Sequence, residues 1–76
     1  MTQLDYVCTK MKVQDEEGNP RTAFRFAVLD GAGRALLSVD DVCGSEIRAR
    51  ELERLFHRNQ VSPAHVLDVL EDWLIG

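Results

Sequence analysis

The chain has 76 residues, 45% of them hydrophobic and 29% charged, and its formal net charge is −4. This composition is typical of a folded globular protein, and the length predicts one domain over residues 1–76 with a small hydrophobic core. No apolar run approaches the roughly 18 residues of a membrane span. Residues 1–5 do not resemble a signal peptide. We therefore predict a cytoplasmic protein without membrane contacts, in which Cys8 and Cys43 are reduced thiols.

Residues 4–40 have the alternation of a three-stranded antiparallel meander. In the middle strand, Phe24, Phe26 and Val28 alternate with small or polar residues, so one face of the sheet is expected to be fully apolar. Polar segments that contain glycine, residues 15–20 and 30–33, separate the strands and are typical of hairpin turns.

The pairing register of the first hairpin is predicted from its hydrophobic pattern. A pairing of Lys10 and Lys12 with the phenylalanines is disfavoured, because it would place two charges on the apolar face. The register with Gln14 opposite Arg21 avoids this pairing. It puts four residues of the first strand on the phenylalanine face, namely Val7, Thr9, Met11 and Val13.

The second hairpin is expected to pair Leu29 with Arg34. Five of the nine basic residues then lie on the sheet face opposite the phenylalanines, and no acidic residue shares their alternation. This face is predicted to contain Lys10, Lys12, Arg21, Arg25 and Arg34, with Tyr6, Cys8, Ala27, Leu29 and Leu36 among them.

Two helices are predicted over residues 45–58 and 62–75. Ser45 is suited to cap the first helix, and Ser62 followed by Pro63 is a helix-start signal. Apolar residues recur at helical spacing in both segments, so both helices are expected to cover the phenylalanine face. The predicted fold class is α+β, with the order β-β-β-α-α and two helices packed on one face of the sheet.

No spacing in the chain specifies a catalytic or metal site. Cys8, Cys43, His57 and His65 are possible zinc ligands, but they do not form the close pairs that structural zinc sites use. The glycines of residues 31–33 join strand to strand, whereas a phosphate-binding loop needs a helix N-terminus behind it. We predict no enzymatic activity, no cofactor and no metal.

The predicted uncovered face favours a small protein-binding module that regulates or inhibits a partner protein by occluding its surface. The partner is expected to be an acidic protein surface or a second copy of the chain. Small acidic domains of this kind are frequent among phage and mobile-element accessory proteins, a likeness of size and composition alone. The predicted partner-binding residues are Tyr6, Lys10, Lys12, Arg25, Leu29, Arg34 and Leu36.

Two alternatives stay open at this point. The basic face could bind nucleic acid by contacting phosphates, although the net charge of −4 opposes this. Acidic side chains of the helices could instead imitate nucleic acid and enter a basic channel; these are Glu46, Glu51, Glu53, Asp68, Glu71 and Asp72.

Overall fold

The structure, a computed structural model, describes residues 3–75. Three antiparallel strands form one open sheet in the order β1-β2-β3, and two helices follow, which confirms the predicted α+β order. The elements are β1 (Asp5–Gln14), β2 (Pro20–Leu29), β3 (Ala35–Cys43), α1 (Glu46–Asn59) and α2 (Pro63–Ile75). Helix boundaries lie within one residue of the predicted ones. Residues 1, 2 and 76 of the predicted domain lie outside the described residues.

The two hairpin turns share one local design. In the first turn the Asp15 carboxylate accepts the backbone N–H groups of Glu17 and Asn19, at 2.9 and 2.8 Å, and Gly18 has a φ of +83°. In the second turn the carboxylate of the aspartate at the same place, residue 30, likewise accepts two backbone N–H groups, and the glycine three residues later has a φ of +84°. Glycine adopts this left-handed conformation without steric cost, so each turn closes at a fixed length.

The first turn sets a register that differs from the predicted one. Because the turn closes between Asp15 and Asn19, Gln14 lies opposite Pro20 instead of Arg21. Since side chains alternate between faces, this shift by one residue turns every side chain of β1 to the other face. Tyr6 and Cys8 therefore join the phenylalanine face, and the predicted placement of Val7, Thr9, Met11 and Val13 on that face is wrong.

The second hairpin also departs from its predicted register. Leu29 lies opposite Ala35 rather than Arg34. An irregularity between Val28 and Leu29 then returns the following side chains of β3 to the sheet faces that were predicted for them. Leu37, opposite Val28, consequently points to the phenylalanine face as predicted. A second irregularity follows before Cys43, where Asp41 adopts a φ of +58°.

Both helices lie on the phenylalanine face, where the core forms. Ser45 caps α1 as predicted, since its side chain accepts the N–H of Arg48. The buried cluster joins strand and helix side chains, including Phe26, Phe56 and Leu70. The smallest dimension of the molecule, 20 Å, fits one sheet and one helix layer about 10 Å apart. Within residues 3–75 no helix is long and apolar enough to cross a membrane.

The helices run antiparallel to each other. His57, near the end of α1, and Val61, just before α2, both contact Tyr6. At the other end, the Arg48 guanidinium of α1 lies 4.6 Å from the ring centroid of Trp73 in α2. This cation–π contact stabilises the Arg48 side chain on the apolar side of α1.

Candidate protein-interaction surface

The sheet face opposite the helices carries aliphatic side chains, and within residues 3–75 no second layer covers them. We call it the open face. Its members on β1 and β2 are half-buried, apart from the fully buried Ala23, and the side chain of Leu36 on β3 is 49% exposed. None of them belongs to the core cluster or packs against it. The apolar residues of the open face are Val7, Met11, Val13, Ala23, Ala27, Leu29, Ala35 and Leu36.

The arginines of the open face are paired with aspartates of β3. Arg25 Nε donates to Asp40 at 2.5 Å, and Arg21 binds both carboxylate oxygens of Asp41, at 3.1 and 2.6 Å. The hydrogen bonds from Arg21 lower the pKa of Asp41, and the same bonds raise the pKa of Arg21. The expectation that no acidic residue shares this face is wrong, because the irregularity in β3 turns Asp41 toward Arg21.

The two lysines predicted for the open face lie on the other side of the sheet. Lys10 is opposite Phe24 and Lys12 is opposite Thr22, and residues paired in this way share a face. Both lysines are solvent-exposed on the part of the helix-bearing face near the first hairpin. The physical reason is the first hairpin turn, which is shorter than predicted and therefore turns every side chain of β1 to the other face.

Tyr6 is a core residue, so its predicted exposure on a binding face is also wrong. Its side chain is 1% exposed, and its ring lies 5.5 Å from the ring of Phe56 and 6.4 Å from that of Phe26. The hydroxyl donates to the backbone carbonyl of Val61 at 2.5 Å. Burial raises the pKa of the Tyr6 phenol. The residue therefore ties β1 to the connection between the helices.

The remaining predicted binding residues lie at or near the open face. Leu29 and Leu36 contribute to its apolar area, and Arg25 lies there in its ion pair with Asp40. Arg34 is exposed immediately before β3, at the outer edge of the sheet. Of the predicted set, the structure thus brings together two leucines and one paired arginine.

Sequence reasoning missed three residues of the open face, Val7, Met11 and Val13. The signal that could have found them is the Asp-x-x-Gly-x pattern of residues 15–19, which recurs at residues 30–34. An aspartate that accepts two turn amides, followed by a glycine at positive φ, fixes the length of a hairpin turn and hence the register.

Side chains of α1 close the first half of the β1 edge. Glu53 accepts the backbone N–H of Cys8 at 2.7 Å and is held by Arg50 at 2.7 Å. His57 Nε2 lies 3.1 Å from the backbone carbonyl oxygen of Tyr6. An exposed strand edge offers unpaired backbone groups to other chains, so these contacts protect β1 from strand pairing.

One shallow cleft contains titratable groups but no nucleophile. His57 Nε2 lies 3.1 Å from an Asp5 carboxylate oxygen, and Leu29 and Asp30 line the opposite wall.

The thiol of Cys8 is buried, and burial together with the nearby Glu53 carboxylate raises its pKa to about 12. Such a thiol is a poor nucleophile at neutral pH. In the described part of the chain, no three His, Cys, Asp or Glu side chains converge as metal ligands would.

Comparison with known proteins relates the chain to a family of unknown function. A family model described as "Family of unknown function (DUF6514)" matches residues 2–76. No curated protein and no solved structure matches the chain.

Proposed function

We propose that this chain, which belongs to the DUF6514 family, is a small non-enzymatic module that regulates or inhibits a partner protein by covering part of its surface. The open face carries the proposal, because it is lined with aliphatic side chains that no second layer covers in the described part of the chain, and such a face is typical of an interaction surface. It lies on regular strands, so its side chains are held in place before binding.

The charges of the open face favour a partner of apolar surface. Arg21 and Arg25 are already paired with aspartates, so they offer less attraction to an acidic surface than a free basic row would. Lys10 and Lys12 lie on the other side of the sheet. The row of basic residues that would favour nucleic acid is thus divided between two faces, which favours a protein partner.

A pair of variants tests this proposal. Leu29→Glu and Met11→Glu each place a charge on the open face, where binding to an apolar surface would bury it at high cost. Ile47→Glu is the matched control, because Ile47 is 73% exposed on α1, away from this face. The tagged chain is used to capture proteins from its native host, with and without nuclease.

We expect the wild type and Ile47→Glu to retain the same protein, and each open-face variant to retain at least about tenfold less. Circular dichroism and urea unfolding establish that each variant is folded. Equal retention by Leu29→Glu and the wild type would contradict the proposal. So would a captured protein that disappears on nuclease treatment, since nucleic acid would then mediate the contact.

A further inference from the structure

Helix α2 exposes apolar side chains that its packing on the sheet does not use. Val66 and Leu70 are buried in the core, whereas Leu67 and Leu74 are 51% and 49% exposed. Ile75, at the end of the helix, is 87% exposed. Exposed apolar area that several residues of one element share is typical of an interaction site.

Four exposed residues of α2 form one row along the helix, which we call the α2 stripe. They follow one another at intervals of three, four and three residues, the spacing of neighbours on one helix face: Ala64, Leu67, Glu71 and Leu74. The two leucines, seven residues apart, are separated by about 10 Å along the helix axis. Side chains with this spacing are the ones through which one helix contacts another.

The α2 stripe lies on the flank of α2 that faces away from α1. Trp73 marks the flank toward α1, because Arg48 of α1 contacts its ring. Glu71 is two residues before Trp73 and is therefore rotated from it by about 160° around the helix axis. Below α2, β3 is an edge strand, and its helix-side residues Leu37 and Val39 are only half-buried. The helix layer thus leaves room beside α2 on this side.

Glu71 makes the α2 stripe selective for charge. It lies between Leu67 and Leu74 in the row, and within residues 3–75 no basic side chain lies within ion-pair distance of it. Helix α2 contains no lysine or arginine, and Asp68 adds a second carboxylate beside the stripe. A partner that covers both leucines also removes Glu71 from water, which is costly unless the partner supplies a cation.

The α2 stripe of a second copy of the chain does not meet this requirement. When two α2 helices pack antiparallel with Leu67 of each opposite Leu74 of the other, the two Glu71 side chains meet at the centre. A parallel pair in register also places Glu71 beside Glu71. Like charges that face each other in an interface repel, so the stripe favours a partner of opposite charge.

We propose that the α2 stripe binds an amphipathic helix of a partner protein, in which a lysine or arginine lies between two apolar residues of one row. The apolar residues contact Leu67 and Leu74, and the cation pairs with Glu71. Helices are recognised in this way through side chains three, four and seven residues apart. The bound helix lies beside α2 as a third helix of the layer. This surface is separate from the open face, so the proposal goes beyond the proposed function.

The test titrates the folded chain into a fluorescein-labelled helical peptide of leucine and lysine, with the leucines at helical spacing. A peptide with glutamate in place of every lysine provides the comparison. At about 150 mM salt, which screens exposed charges, fluorescence anisotropy should give a dissociation constant below about 100 µM for the leucine–lysine peptide. Binding of the leucine–glutamate peptide should be at least about tenfold weaker.

Two kinds of variant separate the apolar and the charged contribution. Leu67→Ser and Leu74→Ser should each weaken binding of the leucine–lysine peptide at least about tenfold, because each removes an apolar contact. Glu71→Lys should reverse the preference, so that the leucine–glutamate peptide binds more tightly.

Ile47→Ser and Glu51→Lys are the matched controls, since they make the same kinds of change at exposed residues of α1. Both should bind the leucine–lysine peptide as the wild type does. Circular dichroism and urea unfolding confirm that each variant is folded.

Absence of saturable binding up to about 1 mM would overturn the proposal. So would equal effects of Glu71→Lys and Glu51→Lys, because the peptide would then respond only to net charge. Binding of the wild type, but not of Leu67→Ser, to neutral phosphatidylcholine vesicles would also overturn it, since the α2 stripe would then face lipid. Leu29→Glu tests the open face and Leu67→Ser tests α2, so this proposal and the proposed function fail separately.

Discussion

Glu53 is a charged residue whose position is explained by the strand edge. Its carboxylate accepts the Cys8 N–H at 2.7 Å and pairs with Arg50, and its side chain is only 18% exposed. An edge N–H that is shielded from water and loses its acceptor costs free energy in the folded state. Glu53 is one of the acidic residues that the sequence offers for imitating nucleic acid, but these contacts assign it to the packing of α1 on β1.

Glu53→Ala should therefore lower the free energy of unfolding by about 2 kcal/mol. Glu53→Gln should lose less, since its amide oxygen can still accept the Cys8 N–H. Urea unfolding followed by circular dichroism provides the measurement, and Glu51→Ala, on the exposed side of the same helix, should change stability by less than about 0.5 kcal/mol. Equal effects of the two alanine substitutions would show that Glu53 does not close the edge.

Cys8 makes stability depend on pH in the alkaline range. Burial raises the pKa of its thiol to about 12, from the value of 9.0 for an unperturbed thiol. Below pH 9 the thiol is neutral in both the folded and the unfolded chain, so its contribution is constant. As the pH rises above 9, the unfolded chain releases this proton while the folded chain retains it, and the free energy of unfolding falls.

The urea midpoint of the wild type should consequently fall between pH 8 and pH 10, because the unfolded-state pKa of 9.0 lies within this range and the folded-state pKa of about 12 lies above it. Cys8→Ala should show a weaker fall, whatever its stability at pH 8. Val42→Ala, at a residue buried to the same extent as Cys8 but without a titratable group, serves as the control and should keep the wild-type slope. The raised pKa of Tyr6 acts in the same direction, so part of the fall remains in Cys8→Ala. Identical slopes for Cys8→Ala and the wild type would refute this assignment.

At the scale of elements, signals between residues close together in the chain predicted the strands and helices and the residues at which they begin. The alternation around Phe24 and Phe26 predicted the buried face of β2, and Ser45 and Pro63 predicted the starts of both helices. These signals depend on residues close together in the chain, and the structure uses them unchanged. Packing of both helices on the same face also follows, because β2 has one face that is fully apolar.

The face of β1 could not be predicted from its hydrophobic pattern. One stripe of this strand contains Val7 and Met11, and the other contains Tyr6 and Cys8, so each stripe offers apolar side chains to a core. The choice is made by the turn at residues 15–19, whose hydrogen bonds fix the register. Two lysines on the phenylalanine face are tolerated because they lie at the margin of the core cluster or beyond it, where their side chains are exposed.

The irregularities of β3 are a further limit of sequence reasoning. An extra residue in one strand leaves no hydrophobic signal when the neighbouring residues are exposed, as they are around Asp40 and Asp41. Their consequence for the candidate site is large, because the aspartates reach Arg25 and Arg21 and remove the predicted basic field. The uncovered face was therefore predicted on the correct side of β2, but the charges on it were predicted wrongly.

At the scale of the whole molecule, the core occupies one end of a long body. The molecule measures 46 × 28 × 20 Å, and its helices cover only part of the sheet. None of residues 9–22 belongs to the core cluster, whereas Tyr6, Cys8 and Phe26 do. The hairpin of β1 and β2 thus extends beyond the core, supported chiefly by its own ladder. Local opening requires the least free energy where few apolar contacts are lost.

Hydrogen exchange of two valine amides in β1 tests whether local opening requires less free energy far from the core than beside it. Val7 and Val13 have the same side chain and lie on the same face of the sheet. Both direct their N–H groups to β2, where Val7 lies opposite Ala27 and Val13 lies opposite Arg21. The Val7 amide lies beside the core, so it should exchange at least about tenfold more slowly than the Val13 amide after correction for intrinsic rates. Nuclear magnetic resonance resolves the two amides. Equal protection would mean that the sheet opens as one unit, in which case the hairpin is as stable as the core that it extends from.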